Sequence, residues 1–171
     1  LAVISHKAFV DKNDELSLLV ENLTDYYRLS LARGRDFTTV KEEIELIGKF
    51  VAVNEISHSQ KYEFTADISP DIENKSVLHL MLQPFAENSI VHGLAGKKQE
   101  CRMKIECFRE NGMLVFKIFD NGYGITDEKL KDLNDTDNLK SNYGIKNSFD
   151  RMKLFYGDKC SLKFESERGK Y

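Results

Sequence analysis

The strongest constraint on how this chain can fold comes from two short segments about thirty residues apart. Leu82-Gln83-Pro84-Phe85-Ala86-Glu87-Asn88-Ser89-Ile90-Val91-His92-Gly93 reads as an amphipathic helix that carries an acid–amide pair, Glu87-Asn88, and stops at a glycine. Val115-Phe116-Lys117-Ile118-Phe119 then reads as an apolar strand running into Asp120-Asn121-Gly122-Tyr123-Gly124-Ile125, an acidic turn broken by glycines. A polar helix face and a flexible acidic turn are the parts needed to hold a nucleotide and its magnesium. Neither segment says much alone; their order and spacing carry the signal.

The rest of the chain supplies the frame. Leu16, Leu19, Val20, Leu23, Tyr27 and Leu31 recur at helical spacing, and Gly34 ends that helix with Arg33 in its last turn. Thr39 and Glu42 have the spacing of a capping box, which predicts a second helix with Ile44, Ile47, Phe50 and Val51 as its stripe. The two helices suggest a hairpin that needs a partner surface. Lys61 to Ile68 alternates as a strand, and Pro70 marks a turn. Ser76 to His92 is expected to be one helix, kinked at Pro84 where a backbone bond is lost. Met103 to Phe108 and Met113 to Phe119 pair through an Asn111-Gly112 hairpin turn. A short helix over Asp127 to Leu133 follows, then a polar stretch from Asn134 to Tyr143, a helix from Gly144 to Tyr156 capped by Gly157, and a last strand through Leu162 and Phe164. The change of pattern from helical to alternating around Ser57 to Gln60 predicts two units, 1–60 helical and 61–171 mixed.

Composition removes several classes of function. A net charge of −3 argues against a general nucleic-acid binder. No apolar run of about 18 residues is present to span a membrane, and Leu1 to Lys7 lacks the ordered regions of a signal peptide. The three cysteines, Cys101, Cys107 and Cys160, match neither a disulfide framework nor a zinc pattern. Cys101 and Cys107 fall in a strand and read as small, partly buried side chains in a reducing compartment.

Each chemical candidate has an ordinary reading beside the functional one. Asn88 can give magnesium an amide oxygen next to phosphate, or it can cap its own helix. Glu87, about 100° around the helix from it, can polarise a water or stay solvated. Asp120 is an acceptor when ionised and suits the amino group of adenine, with Gly122 and Gly124 permitting positive φ and close approach to a flat ring. Asp-Asn-Gly is also common turn chemistry. The stretch ending at Gly144 can be a lid over phosphates at a helix start or a plain surface loop.

Together these segments resemble the nucleotide-binding elements of the histidine-kinase ATPase domain, the fold shared with gyrase, Hsp90 and MutL. Leu82 to Gly93 resembles the asparagine box, and Asp120 to Ile125 the first glycine box. Tyr143 to Gly157 resembles the second glycine box and the helix after it. The wording is most similar to sensor histidine kinases of the LytS and YesM type, with Leu-Gln-Pro, Glu-Asn and His-Gly in the first box and Asn147, Arg151, Tyr156 and Gly157 in the last. Thr39 to Asn54 resembles the helix that precedes their ATPase domain.

The resemblance implies an α+β fold, a two-layer α/β sandwich of the GHKL (Bergerat) type preceded by a helical hairpin. It implies ATP and Mg2+ as ligands, with Asn88 holding the metal and Glu87 beside it in the catalytic pair. Asp120 would meet the adenine amino group, Gly122, Gly124 and Ile125 would line the base pocket, and Gly144, Ile145 and Asn147 would face the nucleotide from the last helix. His92 takes the slot of a ring-bearing residue near the nucleotide; a structural role at a helix end fits equally.

Three departures stand out. Val91 occupies a slot that is often basic, and the second glycine box has only Gly144. No Asn-Pro-His-Phe acceptor run is present, and His6 does not fit one, so the chain is expected to begin just past the acceptor and to lack a last strand. The expected function is the catalytic fragment of a two-component sensor kinase, passing the ATP γ-phosphoryl group to a histidine and on to a response-regulator aspartate. The intact protein would be a homodimer anchored at the cell membrane. The rival readings are a serine kinase of the anti-sigma type and a degenerate module that binds without transferring phosphate.

Overall fold

The computed structural model describes residues 10, 13–31, 34–97, 100–135 and 142–167. Arg33, residues 1–9, Lys98 and most of the expected lid (136–141) lie outside the described residues. Helix α1 (Asp14–Leu31) is followed by β1 (Phe37–Thr39), α2 (Val40–His58), β2 (Tyr62–Ile68) and β3 (Ser76–Leu78). Then come α3 (Gln83–Asn88), a π-helical turn (Ser89–Leu94), the strands β4 (Cys101–Glu110) and β5 (Met113–Asp120), and the helices α4 (Asp127–Asn134) and α5 (Tyr143–Tyr156).

Strands β2, β4 and β5 form one sheet in that order, with β2 parallel to β4 and β5 antiparallel to β4. The hairpin turn holds Asn111 at φ 50° and Gly112 at φ 81°, the left-handed pair that such a two-residue turn demands. Along β4 burial alternates: Cys101, Met103, Ile105 and Cys107 point into the core, and Arg102 and Lys104 point to solvent. The core face is covered by Ile44, Ile47 and Val51 of α2, Ala86 of α3, Ile90 and Leu94 of the π-helical turn, and Phe149 and Met152 of α5. This three-stranded sheet under a layer of helices is the expected two-layer sandwich.

Local chemistry places several boundaries. The Thr39 hydroxyl accepts the Glu42 N–H while the Glu42 carboxylate accepts the Thr39 N–H, so the capping box that starts α2 is complete. Thr126 and Asn142 cap α4 and α5 through their side-chain oxygens in the same manner. Burial pushes the Cys107 thiol up to about 12, and neither it nor the buried Cys101 is in a disulfide.

Several expectations are corrected. Ser76 to His92 is not one helix: Ser76–Leu78 pairs antiparallel with Phe37–Thr39, and Leu80 takes φ 61°. Pro84 therefore does not kink anything. It sits in the first turn of α3, where its missing N–H would have no intrahelical partner anyway. The π-helical turn runs past Gly93 to Leu94, so the glycine does not stop it. Leu162 and Phe164 pack against the core clusters, but residues 161–167 join no ladder among the described residues. The stripe on α1 is covered only in part: Val20 is buried, whereas Tyr27 and Leu31 are exposed and the polar Asn22 is buried instead.

The core crosses residue 60 without a break, because Val40, Ile44, Ile47 and Val51 share one cluster with Tyr62, Met103 and Ile105. Ile47→Ala is accordingly expected to lower stability by about 2–5 kcal/mol, and Tyr27→Ala, on an exposed face, by less than about 0.5 kcal/mol. Urea unfolding followed by circular dichroism checks both.

Candidate functional site

The two segments that stand out in the sequence meet at a close backbone approach. The Gly93 carbonyl accepts the Tyr123 N–H at 3.2 Å. A Cβ on Gly122 would lie 2.3 Å from that carbonyl oxygen and 2.6 Å from Asp120 Oδ1, and one on Gly93 would lie 2.8 Å from the same Oδ1. Glycine is therefore needed at both positions because of space. At Gly122 the backbone is not left-handed; Gly124, at φ 69°, is where positive φ is used.

Asp120 ends β5 with its carboxylate fixed. Oδ1 accepts the Gly122 N–H at 2.9 Å, which leaves Oδ2 open to a further donor. The turn is tied from behind as well: Asn121 Oδ1 accepts the Arg102 N–H at 2.8 Å, and the Lys97 ammonium donates to the Asn121 carbonyl. Ile125 donates its N–H to Ser166 Oγ at 3.0 Å, so the segment after the turn is also anchored.

Asn88, His92, Asp120, Gly124 and Ile125 all line one cavity of about 710 Å³. That size falls within the range of about 300–1,000 Å³ common for small-molecule sites. The cavity opens between β5 and residues 159–166, with Met81, Leu82 and Ile118 among its apolar walls and Lys129 adding a cation. Apolar walls with a few fixed polar groups are what a flat, polar-edged ligand requires.

The remaining expected residues sit elsewhere. Gly122 is buried behind Asp120. Ile145 is fully buried against Leu133 in a second small cluster. Gly144 and Asn147 are exposed on the first turns of α5 and are not on the cavity wall. Glu87 is exposed; Gln83 Nε2 donates to its Oε1 at 2.9 Å and to the Tyr26 hydroxyl at 3.3 Å. Glu87 thus stands beside α1 rather than on the cavity wall. Burial, helped by the Glu87 charge, holds the Tyr26 hydroxyl above its ordinary range.

Sequence reasoning missed Asn142. Its Nδ2 donates to Asn88 Oδ1 at 3.1 Å, and its Oδ1 accepts the Ile145 N–H at 3.2 Å. One side chain therefore caps α5 and braces the asparagine of α3. An asparagine directly before a helical pattern is the signal that could have found it. Gly93 was also missed as a packing residue, since its need for space comes from a turn about thirty residues later.

As to metals, no group of three or more His, Cys, Asp or Glu that could hold an ion exists among the described residues. No helix among them is long and apolar enough to cross a membrane.

No family model matches the chain. Relatives of the chain at 25–28% identity are named as sensor histidine kinases or sensor proteins. It is 25% identical over 170 residues, 99% of its length, to the sensor histidine kinase YesM of Bacillus subtilis (strain 168). It is 25% identical over 87% of its length to the sensor protein LytS of Bacillus cereus, and 28% identical over 67% to the sensor histidine kinase BtsS of Escherichia coli (strain K12). The chain spans only 29%, 26% and 21% of those relatives' own lengths. Among solved structures, the histidine kinase domain from the Erythrobacter litoralis EL346 blue-light activated histidine kinase matches 92% of this chain and 71% of its own, with a TM-score of 0.52 at 18% identity. The fold is that of this histidine kinase domain.

The Gly122→Ala substitution is expected to break the Gly93–Tyr123 approach. Small-angle scattering and circular dichroism should show a folded chain, while the Tyr123 amide loses its protection in hydrogen exchange.

Proposed function

We propose that this chain is the ATP-binding catalytic part of a two-component sensor histidine kinase. One observation carries the reading: Asn88 and His92 from one segment, and Asp120, Gly124 and Ile125 from another, line a single cavity of nucleotide size. The similarity to sensor kinases along nearly the whole chain supports it.

In this reading the open Oδ2 of Asp120 accepts from the adenine amino group, and Gly124 and Ile125 lie against the base. Asn88 presents its amide oxygen toward the phosphates, held by Asn142. His92, exposed at the cavity rim, reaches the ribose–phosphate side. Gly144, Ile145 and Asn147 belong to the start of α5, which adjoins Asn88 through Asn142 and so faces the phosphate side. Glu87, next to Asn88 in the chain but turned toward Gln83 and Tyr26, takes no part in this reading of the cavity.

The residues present fit magnesium of one kind only. No cluster of acidic or imidazole ligands exists among the described residues, so Asn88 Oδ1 would be the protein oxygen that holds the ion beside the nucleotide's phosphates. When bound, magnesium supplies charge neutralisation on the transferring phosphoryl group. The chain's own part is positioning.

The reaction in the intact protein would move the γ-phosphoryl group to a histidine outside this chain and then to an aspartate of a response regulator. The helical region would pair two copies, in a protein anchored at the membrane. The exposed Leu18, Tyr27 and Leu31 on α1 support a contact there. We also place the start of the nucleotide-binding unit near Phe37 rather than at residue 61, because α2 and β1 share its core and its strands.

Asp120→Asn sets a donor against the adenine amino group and should weaken ATP binding by about 10- to 100-fold. Asn88→Ala should remove most of the gain in affinity that Mg2+ confers. Isothermal titration with and without Mg2+ reads both; unchanged affinities would refute the assignment. Full-length protein given labelled ATP should carry acid-labile phosphate, and a stable label with no acid-labile fraction would favour the serine-kinase or binding-only alternatives.

A further inference from the structure

The last residue of β3 and the four residues between it and α3 have an unusual environment. Residues 78–82 leave the short β3 ladder and reach α3 through Leu80 at φ 61°, a conformation that costs a leucine of order 1 kcal/mol and persists only where the surroundings impose it. Apart from the His79 N–H, which donates to the Asp36 carbonyl at 2.9 Å, and the Leu82 carbonyl, which starts α3, the backbone bonds of this segment run to side chains from other elements. The Leu78 N–H donates to the Tyr156 hydroxyl at 3.0 Å, and the His79 carbonyl accepts from Arg151 at 3.0 Å. The Met81 carbonyl accepts from the buried Ser148 hydroxyl at 2.8 Å. The N–H groups of Leu80 and Leu82 both donate, at 3.0 Å each, to the two oxygens of one carboxylate, that of Glu43 on α2.

Glu43 is fully buried. Burial pushes its carboxyl above the ordinary range, against the lowering effect of the N–H groups of Leu82, Leu80 and Met81 and of His79. A buried carboxylate costs several kcal/mol unless its oxygens are well satisfied, and an apolar residue would fill the space at no such cost. What only a carboxylate does here is accept two N–H groups at once from both sides of a left-handed residue. A glutamine could accept one and would turn a donor toward the other.

The imidazole beside it extends the link. His79 Nε2 faces the Ser30 carbonyl of α1 at 2.7 Å and must be the donor, because a carbonyl only accepts. Its Nδ1 lies 3.9 Å from Glu43 Oε2 without a hydrogen bond. The same few residues therefore touch α1, α2 and α5, and they lead directly into α3. That helix is one and a half turns long, about 9 Å, and Asn88 is its last residue.

We propose that Glu43 is a positioning residue for the nucleotide site: its two-point hold on Leu80 and Leu82 sets the start of α3 and so the place of Asn88, and His79 ties that hold to α1. The proposal deepens the reading of Asn88 as the group that meets the nucleotide's metal and rests on it. Glu43 touches neither nucleotide nor metal; a shift of the α3 start would move Asn88 while leaving Asp120, on β5, where it is.

The test separates those two halves of the site. ATP affinity is measured by calorimetry with EDTA and with Mg2+ for the wild-type chain, Glu43→Gln and Ser148→Ala. The expected result is metal-free affinity within about twofold of wild type and a metal-dependent gain reduced about tenfold, the size of one lost charge-assisted hydrogen bond. A full metal-dependent gain in the folded variants overturns the proposal, as does a parallel fall of both affinities. Should Glu43→Gln not fold, Ser148→Ala, which frees only the Met81 carbonyl, decides between these outcomes. A wild-type chain with no metal-dependent gain would sink the reading of Asn88 instead. Hydrogen exchange without nucleotide then decides the positioning role: faster exchange that starts at Leu80 and Leu82 and extends through residues 83–94 in Glu43→Gln supports it, and acceleration limited to Leu80 and Leu82, uniform acceleration or none refutes it.

Discussion

The structure depends first on a contact in which two backbones approach too closely for any side chain to stand between them. Gly93 lies within the π-helical turn, Gly122 lies against its carbonyl, and the Tyr123 N–H closes the gap. That contact joins the helical layer to the end of the sheet. It also aims the Asp120 carboxylate, whose Oδ1 is used by the Gly122 N–H and whose Oδ2 is left over. Without it, Asn88 and Asp120 would belong to separate parts of the molecule and the cavity between them would have one wall.

The second constraint is the way α2 is shared. It packs beside α1, through Lys49 with Asp25 at 3.0 Å and Phe50 near Tyr26, and it also buries Ile44, Ile47 and Val51 in the core of the sandwich. A helix that serves two neighbours cannot be moved relative to one without disturbing the other. Glu43, on the same helix, makes that coupling specific to the segment before α3. The architecture therefore connects the helical region to the cavity through packed matter rather than through a flexible linker.

Much of this is legible in the residues. The capping box at Thr39 and Glu42, the Asn111-Gly112 turn and the alternation of β4 are local devices, and local chemistry is enough to read them. The features that sequence reasoning misreads share one cause. Ser76–Leu78 has an apolar content that suits helix or strand, and only its partner Phe37–Thr39, some forty residues earlier, decides for strand. Pro84 reads as a kink only while the start of its helix is out of sight. Tyr27 and Leu31 fit an apolar stripe, yet nothing among the described residues covers them. Leu162 and Phe164 alternate as a strand, but a strand also needs a neighbour's backbone, and a cavity lies on the side toward β5.

By itself the sequence determined the elements with strong local signals, and the identity of the acid, the amide and the glycines around which a site could form. Their side chains and spacings are covalent facts, and helix caps and tight turns act over three or four residues. The tertiary structure alone decided that Gly122 is needed for space and not for its φ, that Asn142 braces Asn88, that Glu87 turns toward α1, and that Glu43 is buried as a two-handed acceptor. Each of those outcomes depends on an atom supplied by a residue distant in the chain, and a distance through space is not written in any local pattern.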